Sequence, residues 1–117
     1  MAKKRIKSPF RPFEGKKADE PHVRLTRSMV LSEAYISLSY SAVKLYTFLR
    51  MYSLGNEEVE YAWSLAKKIF GSSGTFNSAK KDLIEKGFIK CIRTSKCSRL
   101  PNLYKFSSDW QTYKKIT

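Results

Sequence analysis

A chain of 117 residues is long enough for one domain with a hydrophobic core and too short for two. It carries 23 lysines and arginines against 10 aspartates and glutamates, and the net charge of +13 points to a polyanionic partner, nucleic acid ahead of an anionic membrane. No apolar run approaches the ~20 residues of a membrane span, and the basic N-terminus lacks the apolar segment of a secretory signal, so a cytoplasmic protein with no membrane partner is expected. Cys91, Cys97 and the single histidine, His22, cannot supply a four-ligand zinc site, and the cysteines read as free thiols ahead of a disulfide. The charge is also segregated. Residues 1–22 hold seven bases and three acids, residues 23–62 four of each, and residues 63–117 twelve bases and three acids.

In chain order, residues 1–22 contain three prolines and clustered lysines, with Phe10 and Phe13 around Pro12. This is a basic N-terminal arm, suited either to tracking a phosphate backbone or minor groove or to acting as a solvated leader. The folded domain is expected over residues 23–117. Val23 to Thr26 alternates as a short strand or extended lead-in, and Met29 to Leu38 fits one or two helical turns. A long helix follows the cap candidates Ser39 and Ser41. Its buried stripe is Ala42, Leu45, Tyr46, Leu49 and Tyr52, widened by Val43, Phe48 and Met51, and Gly55 and Asn56 end it.

Glu58 to Tyr61 alternates as a strand. Ala62 to Phe70 predicts a helix with Leu65, Ala66, Ile69 and Phe70 inward and Lys67 and Lys68 outward. After the turn at Gly71-Ser72-Ser73 comes a second helix, with Ser73 or Thr75 as its cap and Gly87 supplying the positive φ that closes it. Phe76, Ala79, Leu83 and Ile84 share its apolar face, and Asn77, Ser78, Lys81 and Glu85 lie opposite. On these residues alone a groove-reading helix and an ordinary amphipathic surface helix both remain open. Phe88 to Arg93 is a strand, Thr94 to Pro101 a basic loop, and Asn102 to Phe106 the returning strand. Ser107 to Thr117, with Trp110 and Tyr113, folds back on the core as a last helical turn or two. The class is α+β: a winged helix-turn-helix with a three-helix core, a C-terminal β-hairpin wing and the basic arm.

From about Val23 to Trp110 the chain resembles the winged helix-turn-helix domains encoded by plasmids, phages and integrative elements of Gram-positive bacteria. The resemblance rests on Leu38-Ser39-Tyr40-Ser41-Ala42-Val43-Lys44-Leu45-Tyr46, on Gly71-Ser72-Ser73-Gly74-Thr75-Phe76, on Leu83-Ile84-Glu85-Lys86-Gly87-Phe88-Ile89, and on Asn102-Leu103-Tyr104-Lys105-Phe106 with Trp110. These motifs are mainly structural, and residues 1–22 depart from the family's pattern. The resemblance implies double-stranded DNA as partner, at repeats in an origin of transfer or replication. It also implies a relaxase or replication initiator as a further partner.

In that arrangement Asn77, Ser78 and Lys81 touch base edges, while Ser72, Ser73 and Thr75 hold phosphates at the helix start. Lys96 and Arg99 contact the flanking backbone or the minor groove from the wing tip, and Lys67, Lys68, Lys80, Lys90 and Arg93 add electrostatic reach. Asp82 and Glu85 on the same helix leave open a mode in which the wing reads the bases. Single-stranded binding ranks lower, because the aromatic residues fall on faces expected to be buried. No catalytic motif, paired carboxylate or phosphate loop is present, so no enzymatic activity and no cofactor are expected. Rival readings are a transcriptional repressor, acting as a homodimer on two half-sites, and a protein-interaction adaptor.

Overall fold

The computed structural model describes residues 21–94 and 100–114. The expected basic arm, except its last two residues, therefore lies outside the described residues, as do Cys97 and the wing-tip pair Lys96 and Arg99. Among the described residues, four of the five α-helices begin where a hydroxyl side chain accepts from a backbone N–H two or three residues into the helix. Thr26 caps α1 (Arg27–Val30), Ser32 caps α2 (Glu33–Ile36), Ser39 caps α3 (Tyr40–Ser53) and Ser72 caps α5 (Ser73–Glu85). Val23 to Thr26 joins no strand, and Thr26 has the extended backbone of a helix cap.

Helix α3 is the central element. Ala42, Leu45, Tyr46 and Leu49 are buried along it, and it packs against both α5 and β1 (Glu58–Glu60). Its expected inward stripe is narrower than the sequence implies, since Met51 and Tyr52 are exposed at 37% and 48%. The helix also ends earlier, at Leu54, which itself takes the left-handed conformation (φ 52°) ahead of Gly55.

The helix expected over Ala62–Phe70 is a single turn, α4 (Trp63–Ala66), followed by an irregular turn that still buries Phe70. Ala62 starts it without a side-chain cap, which leaves it too short to propagate. Helix α5 buries Phe76, Ala79 and Leu83, whereas Ile84, expected on the same face, is 42% exposed. Its C-terminus is a glycine-closed turn: Gly87 sits at φ +86°, its N–H donates to the Ile84 carbonyl at 3.2 Å, and the Phe88 N–H reaches back to the Leu83 carbonyl at 2.9 Å.

Phe88 then enters the core fully buried, edge-on to Tyr46 at 5.4 Å and stacked on Trp110 at 5.9 Å. The C-terminal segment contributes Trp110 through a 3₁₀ turn, Asp109–Thr112, whose Trp110 N–H donates to the Gly87 carbonyl. Strands β2 (Ile89–Arg93) and β3 (Leu103–Phe106) form an antiparallel pair, and β1 joins the free edge of β3 to give the order β1-β3-β2. The molecule is thus α+β, with a small three-stranded antiparallel sheet against the helices. Its element order is compatible with a winged helix.

The β2–β3 register shifts between Cys91 and Arg93. Cys91 faces Tyr104 and Arg93 faces Leu103, leaving Ile92 as the extra residue. Simple alternation would have placed Arg93 on the same face as Cys91. The bulge turns it to the other face, where Glu60 of β1 stands in register with the same Leu103.

Candidate nucleic-acid interface

Helix α5 is fixed at its start and toward its end, and what remains is its outer face. At its start, the Ser72 Oγ accepts from the Thr75 N–H at 3.1 Å and lies 3.1 Å from the Thr75 Oγ1. Ser72 is therefore the cap in place of the expected Ser73 or Thr75, because its extended backbone (ψ 157°) lies just outside the first turn. Toward its end, the Asp82 carboxylate accepts from the Ser39 N–H at 2.7 Å and from the Lys86 ammonium at 2.6 Å. One carboxylate thus serves the first turn of α3 and the last turn of α5. Both of its oxygens are thereby engaged within the fold.

Burial works to lower the Lys86 pKa, but the hydrogen bond and charge of Asp82 outweigh it, with Tyr113 and Glu85 adding, so the value is raised above 10.5. A raised lysine stabilises the fold fully below its unfolded value and loses that contribution as pH climbs through the folded one. Replacing Asp82 by alanine is expected to lower unfolding stability by about 1.5–3 kcal/mol, the range of hydrogen bonds to charged groups. Urea unfolding at neutral pH measures this, and a change under a few tenths would remove Asp82 as a tie between the helices.

Between these anchors Ser73, Thr75, Asn77, Ser78 and Lys81 are all exposed, as are Lys67 and Lys68 before the helix. Glu85 is the one exposed carboxylate on α5. Other expected site residues are more engaged. Lys80 is partly buried with its Nζ 4.9 Å from the Phe76 ring centroid, so its stem packs on the helix's own apolar face. Lys90 is exposed and 3.7 Å from the Asp109 carboxylate. Arg93 is the clearest departure from a free cation: its Nη2 donates to Glu60 at 2.5 Å and to the Pro101 carbonyl at 2.9 Å. It ties both outer strands to the base of the loop. A cation held by two acceptors has less to give a phosphate, and the bulge at Ile92 that aims it there is not visible in one strand's sequence.

The exposure of aromatic rings also differs from expectation. Tyr40 is 95% exposed at the start of α3 and Trp63 is 39% exposed at the start of α4, so not every aromatic lies on a buried face. Trp63 borders a cleft between α4, the first half of α5 and the lead-in to β3, a feature that the helical pattern gave no sign of. Tyr61, on the cleft wall, is 1% exposed, and its hydroxyl has no hydrogen-bond partner among the described residues. Burial, with nearby Tyr52 adding, raises its pKa from 10.0, which keeps it a protonated donor at neutral pH.

Among the described residues there is no cluster of three histidine, cysteine or acidic side chains able to hold a metal ion, and no helix long and apolar enough to cross a membrane. Compared with known proteins, the chain matches no protein-family model, no curated protein and no solved structure.

Proposed function

We propose that the chain is a winged helix that binds double-stranded DNA sequence-specifically through α5, at repeats in an origin of transfer or replication of a mobile element. The observation that carries this reading is the outer face of α5. It presents small hydroxyl and amide side chains, then Lys81, while its neighbouring carboxylate Asp82 is consumed within the fold. Small side chains near the helix start let the backbone approach base edges, and an amide such as Asn77 pairs with adenine. The strand order β1-β3-β2 and the basic loop between β2 and β3 support a wing beside that helix. The role at an origin rests on the sequence resemblance alone.

The test is fluorescence anisotropy with duplexes from the element's origin and with random duplex, over a range of salt. With about six phosphates neutralised, log affinity should fall against log salt with a slope near −5. Asn77→Ala should cost about 1–3 kcal/mol of affinity for the preferred site and relax its preference at one base pair. A flat salt response, or equal affinity for origin and random duplex, overturns the reading. The second of these outcomes would favour a protein-docking role.

A further inference from the structure

The cleft beside α5 has a volume of about 220 Å³, below the ~300–1,000 Å³ typical of sites for drug-sized molecules, so it admits one small ring system and no duplex. Its lining is selective. Trp63 offers an exposed indole face, backed by the Phe76 ring 5.7 Å away. Asn77 on the rim can both donate to and accept from a ring edge, and Lys80 brings a positive charge. Among the described residues, no acidic side chain lines it. Tyr61 forms part of the wall, but its hydroxyl is itself covered and takes no part in what the cleft offers.

We propose that this cleft receives a single unpaired nucleobase together with its phosphate. The base lies against Trp63, its hydrogen-bonding edge meets Asn77, and the phosphate lies toward Lys80. Stacking thus comes from α4, and edge recognition and charge both come from α5. Stacking on an aromatic side chain is tolerant of base identity, so the cleft selects for an unpaired base more than for a particular one. The base arrives either as a free nucleotide or from an opened or bulged strand. The inference rests on the duplex reading only for the second of these sources.

The experiment uses the full chain with three probes: a duplex carrying one bulged adenine, the same duplex fully paired, and deoxyadenosine monophosphate. Tryptophan emission reports stacking, and anisotropy reports affinity. The bulged duplex is expected to bind about tenfold tighter than the paired one and to quench emission. Trp63→Ala should abolish that preference while changing paired-duplex affinity by less than about twofold, and Trp63→Phe should restore most of it.

Quenching by the mononucleotide assigns the site to free nucleotides, and quenching by the bulged strand alone assigns it to DNA. Either result supports the proposal. Equal affinity for bulged and paired duplex, with no response to the mononucleotide, overturns it. If no duplex binds but the mononucleotide quenches emission and Trp63→Ala removes that response, the duplex reading fails and the nucleobase cleft stands.

Discussion

Gly87→Ala is expected to lower the unfolding free energy by about 3–5 kcal/mol, a large share of a domain stability of the order of 5–15 kcal/mol. Two effects coincide there. Gly87 holds φ +86°, a conformation that costs a residue with a Cβ about 1–2 kcal/mol. The added methyl would also stand 2.6 Å from the Trp110 backbone nitrogen and 2.7 Å from the Asp109 carbonyl carbon. Main chain cannot swing aside as a flexible side chain can, so the 3₁₀ turn must move and Trp110 must leave its stack on Phe88. Gly55 provides the control. It has φ +85° but nothing within 4 Å of its Cβ position, so Gly55→Ala should show only the conformational part, about 1–2 kcal/mol. Urea unfolding of both variants separates the effects. Equal losses would mean that the close approach at Trp110 carries no energy.

Removing three exposed lysines together, Lys67, Lys68 and Lys81, should reduce duplex affinity by about two to three orders of magnitude near 0.1 M salt. None of the three makes an ion pair among the described residues, so each is available to a phosphate. The salt slope should flatten by about 3, since each neutralised phosphate contributes about −0.9. All three side chains lie on the surface, so the melting temperature should hold, and a circular dichroism melt checks that the loss is not one of folding. A triple variant that binds duplex as tightly as the parent, with an unchanged slope, would remove this surface from any role in holding DNA.

Much of the architecture was legible because it follows from local rules. Ser39, a hydroxyl before an apolar-periodic run, starts α3, and Gly87 ends α5. The period-two alternation at Glu58 to Tyr61 is a strand. What escaped the sequence depends on residues distant along the chain. The pairing of Asp82 with Ser39 spans 43 positions, and that of Arg93 with Glu60 spans 33, so neither leaves a periodic trace. The same holds for the cleft, which needs Trp63, Asn77 and Asn102 to meet. Helix α4 was overestimated because apolar spacing continues past Ala66, although Phe70 is buried from an irregular turn. Ser72 and Ser73 were exchanged as caps because neighbouring serines are equivalent in composition and differ only in backbone conformation.

The double use of Asp82 bears on how α5 can move. A carboxylate that grips the opening amide of α3 as well as Lys86 locks the axial position of one long helix against the other. Sliding α5 along its axis to adjust to a binding surface would break this charge-assisted bond between the two helices. Any adaptation on docking must therefore come from whole-body reorientation or from the loops, while the spacing between the two longest helices stays constant.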